Sequence, residues 1–222
     1  MVGLAVLFDA RMTDAGRFTL LSTVFYAAVL AVAGGVAWSF DLRVGPDQAH
    51  LGTGAALAVG VAAGGGLIVA SEVLERRSES VRRLSRTLAD SVPRLSWPQA
   101  AVCAMSSSAA EEVVFRGLMQ PHWGLLASSA IFGLCHGSTR RELRMWAVLA
   151  GGAGLLLGGL SELTGELAAP IAAHATLNTV NLMRLQEKAG QADLATPDGG
   201  CAPVEPRSVA TEVREPTAGE NA

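Results

Sequence analysis

The chain has 222 residues, half of them hydrophobic, with a mean hydropathy of +0.35 and a net charge of −3. Its charges fall in blocks separated by long uncharged runs, a composition that excludes an ordinary water-soluble globule and points to a polytopic membrane protein. Nucleic acid is not expected among its partners; the lipid bilayer is.

The expected fold is an all-α transmembrane bundle of about six spans. From Leu20 to Phe40, and again from Leu51 to Ser71, no residue is charged, and about 20 apolar residues are what a helix needs to cross the bilayer core. A third segment runs from about Trp97 through Gly117, a fourth from Leu125 to Gly137, a fifth from Met145 to Leu160 and a sixth from Leu167 to Met183. Only the third carries carboxylates in its interior. Ala31-Val32-Ala33, with Arg11 and Arg17 upstream, resembles a signal-cleavage site, but the apolar run continues to Phe40. That is long for a signal's apolar region, so a retained anchor is expected.

Arginine placement sets the expected orientation, because cytoplasmic loops are enriched in Lys and Arg. Between the second and third spans lie Arg76, Arg77, Arg82, Arg83, Arg86 and Arg94, whereas the first connection has Arg43 beside Asp41 and Asp47. Arg140, Arg141 and Arg144, and then Arg184 and Lys188, fall on the same side as the long basic loop; the 161–166 connection holds Glu162 and Glu166 without a base. Six spans with both termini cytoplasmic satisfy every loop. Within 72–96, Val73, Leu74, Val81, Leu84, Leu88 and Val92 recur near helical spacing, which fits either an amphipathic helix on the headgroups or a solvated charged linker.

The tail after Met183 is rich in proline and acids and reads as disordered. Gly60-x-x-x-Gly64 and Gly154-x-x-x-Gly158 allow close helix packing within a membrane. Cys103, Cys135 and Cys201 imply no disulfide framework. Cys135 precedes His136, but sequence neighbours on a helix diverge by about 100°, so no cysteine nucleophile is expected. The chain divides into two N-terminal spans with their basic loop (1–96), a core (97–185) and a polar tail (186–222).

Ionisable side chains inside spans are costly and usually face a functional cavity. Here they are Glu111, Glu112 and Arg116 on the third span, His136 on the fourth and His174, with the polar Asn178, on the sixth. Glu112 and Arg116 are i,i+4, the favoured order for a helical ion pair; the pair reads as structural. Glu111 is then the carboxylate left over, pointing about 100° away. His174 and Asn178 share a helix face one turn apart. Desolvation brings a carboxylate toward the range useful for general acid–base work. Glu111 with His136 can therefore activate a water, while His174 and Asn178 supply donors to an oxyanion. Phe132 reads as a packing residue at the cavity wall, and His50 and His122 as interfacial residues without a role.

Glu111-Glu112-x-x-x-Arg116, Phe132-x-x-x-His136 and His174-x-x-x-Asn178, in this order on successive apolar spans, resemble the CPBP family of intramembrane proteases (CAAX proteases and bacteriocin-processing enzymes, also called ABI). The resemblance covers about 97–185. It implies a membrane endopeptidase with Glu111 and His136 activating water and His174 and Asn178 at the oxyanion, acting on a membrane-associated protein or peptide in a bacterial cell membrane. Both metal-dependent and glutamate-dependent mechanisms are described for the family. Glu111, His136 and His174 can supply three zinc ligands with an open position, but no H-E-x-x-H helix is present, and a glutamate-type enzyme without a cofactor is the favoured expectation.

A rhomboid-type serine is absent, since Ser161 sits in Gly-Leu-Ser-Glu, and no aspartate lies within the expected spans. The competing class is a non-catalytic scaffold, transporter or immunity protein using the same cavity for binding. Depth along the third and sixth spans predicts a site nearer the external leaflet, suited to trimming anchors or leader peptides in a sortase-like or bacteriocin-processing role. The sequence implies no prenyl substrate and no oligomeric state.

Overall fold

The computed structural model describes residues 13–46, 49–137 and 143–195, with side chains through Glu187. Among these residues the chain is helical and holds no strand. Helix α1 spans Asp14–Ser39, α2 Thr53–Arg77, α3 Glu79–Ala89 and α4 Trp97–Glu112; α4 passes directly into a π-helical turn, Val113–Met119. Then follow α5 Gln120–His136, α6 Arg144–Thr164 and α7 Ala168–Ala195. The expected all-α bundle is observed. By length and composition, α1, α2 and α6 are long and apolar enough to cross a membrane. The other three expected spans are helical too, and they carry the polar motifs.

Local chemistry explains the helix starts. Thr13 accepts the Gly16 amide at 3.1 Å ahead of α1. Ser96 opens α4 with a capping box closed by Gln99, and Pro98 sits in the first turn, where its missing N–H costs nothing.

Polarity in the bundle is inverted relative to a protein folded in water. Phe25, Val32, Val61, Val69, Val148 and Leu156 face outward, each more than half exposed, whereas Glu112, Arg116, Ser108, Ser128 and Thr164 are buried. Such an arrangement is stable where lipid is the solvent.

Without a hydrophobic drive between helices, close packing relies on small residues. Gly60 and Gly64 seat α2 against α7; a Cβ on Gly64 would meet the Ala173 carbonyl oxygen at 2.7 Å, and one on Gly60 would strike the Ala169 carbonyl. Gly154 receives Ser129 and Phe132 of α5, and Gly158 receives Leu125 and Gln120. Both expected glycine pairs are therefore packing sites.

Two expectations need correction. The segment after Ser71 is helical for most of its length and is not a solvated linker. α2 continues through Arg77, and α3 starts anew on the Ser78 cap. Its Val81 and Leu84 are buried against the protein, where α3 packs on α7 and α2. Arg82 holds the corner by donating to the carbonyls of Glu75 and Arg76. Likewise, α7 does not end at Met183 or at the expected core boundary of 185; it runs through Ala195. Arg184 pairs with Glu72 at 2.9 Å, and Gln186 accepts the Leu95 amide at 2.8 Å, so this end is tied to α2 and to the entry of α4. The rest of the expected tail, with Cys201, lies outside the described residues, as do Arg11, Arg140 and Arg141.

Replacing Gly64 with leucine is expected to unseat α2 from α7 and lower the melting temperature of detergent-solubilised protein by several degrees or prevent its accumulation, since overpacking costs roughly 1–3 kcal/mol or more. The same change at Gly65, where a Cβ meets nothing within 4 Å, should leave the melting temperature nearly unchanged. Equal effects at the two positions would show that the close α2–α7 contact does not exist.

Candidate active site

The site is built around Glu112, whose side chain is fully buried. Arg116, one turn on and equally buried, donates Nη1–H to Glu112 Oε1 at 3.0 Å and Nη2–H to the Gly154 carbonyl of α6 at 3.0 Å. The expected ion pair is present. His174 of α7 adds a second partner, with Nδ1 2.7 Å from the same Glu112 oxygen. A carboxylate accepts, so Nδ1 carries the proton and the Nε2 lone pair of a neutral His174 points the other way.

Glu111 diverges from Glu112, as one helical step requires. Its Oε2 is buried without a hydrogen-bond partner and lies 3.7 Å from His136 Nε2 and 3.9 Å from His174 Nε2. His136 reaches it from the last turn of α5, where Nδ1 donates to the Phe132 carbonyl at 2.8 Å. Both imidazoles are thus fixed in the tautomer that turns Nε2 toward Glu111.

Phe132 holds this cluster together as more than a wall. It is 2 % exposed, meets Phe115 edge-on at 5.0 Å, and lies 4.4 Å from the His136 ring and 5.9 Å from the His174 ring. The Arg116 guanidinium sits 4.5 Å from its centroid, within cation–π range. The structure therefore gathers Glu111, Glu112, Arg116, Phe132, His136 and His174. Asn178 lies one turn along α7, half-buried, and forms no hydrogen bond with that cluster.

The donor chemistry of Glu111, His136 and His174 suits zinc, since each Nδ1 is satisfied by an oxygen that leaves Nε2 free to ligate. The spacing is looser: ligands at about 2.0–2.1 Å in a tetrahedron sit roughly 3.3 Å apart. Among the described residues no group of three His, Cys, Asp or Glu is arranged to hold a metal ion.

Three features escaped the sequence reading. Tyr26 of α1 donates its hydroxyl to Glu111 Oε1 at 3.1 Å; a tyrosine in an apolar span gives no signal of its target. The π turn after Glu112 follows from no motif, although Val113, Val114 and Gly117 are poor α-helix formers. It lets Gln120 N–H bond to the Phe115 carbonyl and leaves the Gly117 carbonyl to take the Gly45 amide at 2.9 Å. Lastly, an apolar groove of about 700 Å³ lies beside the site, lined by Phe25, Val29 and Ala33 of α1 and by Val114, Leu118 and Trp123. Val114 and Leu118 belong to the π turn that follows Glu112. His50 and His122 stand outside the cluster, and Cys135 is exposed.

Comparison with protein-family models points to the same segment. Residues 93–180 match the model of the type II CAAX prenyl endopeptidase Rce1-like family. The chain is similar to the uncharacterized protein YpbD of Bacillus subtilis (strain 168), with 38% identity over 73 residues, covering 32% of this chain and 37% of that protein. No solved structure matches. The three polar motifs all fall inside the matched segment: within a helical bundle whose polarity is that of a membrane protein, residues 93–180 are similar to the Rce1-like CAAX endopeptidase (CPBP) family.

Proposed function

We propose that the chain is an intramembrane endopeptidase of the glutamate type, hydrolysing a peptide bond of a membrane-associated protein or peptide. The observation that carries this reading is the convergence of Glu111 Oε2 with the Nε2 atoms of His136 and His174, at 3.7 and 3.9 Å. A water there donates one hydrogen to Glu111 and the other to His136, which aims its lone pair at the scissile carbonyl. As its oxygen attacks, the first proton passes to Glu111. The Asn178 amide donates to the oxyanion, and His174, whose Nδ1–H is held by Glu112, can donate there from Nε2 when it enters the step as the imidazolium, keeping both protons throughout. Collapse breaks the C–N bond, and Glu111 returns its proton to the leaving nitrogen.

Depth supports an external-side site. Glu111 lies roughly 21 Å along α4 from Trp97, while His174 is only about 9 Å from the start of α7. With the basic loops inside, that is the outer half of a bacterial cell membrane, suited to trimming anchors or leader peptides. The adjoining apolar groove favours substrates with an apolar segment next to the cut.

Glu111→Gln is expected to leave the folded protein intact while abolishing cleavage, read as the loss of new membrane-protein termini by mass spectrometry in cells with matched expression. Identical termini in wild-type and variant cells would point instead to a binding scaffold. Glu112→Gln should differ in kind. It leaves a buried arginine poorly paired, and breaking a buried ion pair costs about 3–5 kcal/mol, so this variant is expected to lose thermal stability as well as activity.

Purified enzyme is expected to keep its activity in 1,10-phenanthroline and to hold well under one zinc per chain by elemental analysis. Loss on chelation, restored by zinc, would assign Glu111, His136 and His174 as ligands instead.

A further inference from the structure

We infer that Tyr26 is the positioning residue of the Glu111 carboxylate, so that α1, which lies outside the matched segment 93–180, belongs to the catalytic apparatus. The inference rests on the proposed role of Glu111 as base.

The two oxygens of Glu111 have different surroundings. Oε1 accepts the Tyr26 hydroxyl at 3.1 Å, whereas Oε2 is buried, makes no hydrogen bond and faces the two imidazoles. Rotation about the terminal bond of a glutamate is broad and roughly two-fold. Nothing in α4 itself fixes the plane of this carboxylate. A phenol fixed on a neighbouring helix does, because a carboxylate oxygen holding a charge-assisted hydrogen bond stays with its donor. Geometry of this kind, set by a supporting group, separates a working site from one that is merely present.

Tyr26 is well placed to be that donor. It lies near the middle of α1, its ring 5.1 Å from Phe25 and edge-on to it, and α1 packs along α4. Ala33 and Ala37 farther along α1 are buried with Leu118, which seats the helix against the π turn. A phenol is also neutral, so it directs the carboxylate without adding charge to the cluster.

Tyr26 is the single tyrosine of the chain, which provides a readout independent of activity. Protein labelled with 3-fluorotyrosine should give one fluorine-19 resonance, and Glu111→Gln should move it; an unmoved resonance would overturn the contact. In a cleavage assay, Tyr26→Phe keeps the ring and removes only the hydroxyl. It is expected to lower kcat about tenfold to a hundredfold while KM stays within about twofold and the melting temperature is retained. An unchanged kcat, or a loss confined to KM, would overturn the positioning role even if the resonance moves. Absence of any Glu111-dependent cleavage in the wild type would refute the proposed function, and the catalytic role of Tyr26 with it, while the resonance shift still reported the contact.

Discussion

The structure depends on one buried carboxylate. Glu112 is removed from solvent, and in a low-dielectric interior its charge is tolerable only because Arg116 at 3.0 Å and His174 at 2.7 Å share the same oxygen. Those two bonds are also the bundle's polar joints. Arg116 carries the link on to α6 through the Gly154 carbonyl, and His174 brings in α7. Phe132 of α5 covers the guanidinium with its ring. An acid that a membrane would otherwise reject thereby becomes the point where four helices meet.

That same constraint prepares the chemistry. Because Glu112 fixes Nδ1 of His174, and the Phe132 carbonyl fixes Nδ1 of His136, both rings must present Nε2 to the neighbouring carboxylate. Adjacent glutamates on one helix therefore take opposite parts. Glu112 is held through one oxygen by an arginine and a histidine, whereas Glu111 turns an oxygen without hydrogen bonds toward the two imidazoles. The π turn immediately afterwards leaves the Gly117 carbonyl for the Gly45 amide, and its Val114 and Leu118 line the apolar groove.

How the helices approach is decided by small residues, since lipid offers no hydrophobic drive to bring them together. The glycine pairs at 60 and 64 and at 154 and 158 were readable from spacing, because only backbone contact makes such spacing useful. The fate of α3 was not. Its alternation of apolar and basic residues fits a membrane surface and a protein groove equally well; in the structure Val81 and Leu84 are buried, and α3 packs on α7 and α2. The extension of α7 was hidden by polar residues after Met183, which are held in helix by side chains of α2 and by the α4 entry rather than by hydropathy.

By itself, the sequence determined the helical class, the apolar spans and the set of candidate catalytic residues, because these follow from hydropathy, helical periodicity and the rarity of charge in apolar segments. It also determined that Glu112 would pair with Arg116, a contact within one helix. Tertiary structure alone decided everything that joins helices distant in sequence: His174 on Glu112, the gap between Glu111 and the two imidazoles, and Tyr26 on Glu111. A side chain's reach along its own helix is fixed by 3.6 residues per turn, but its partner across an interface depends on crossing angles and small-residue contacts that no single segment encodes.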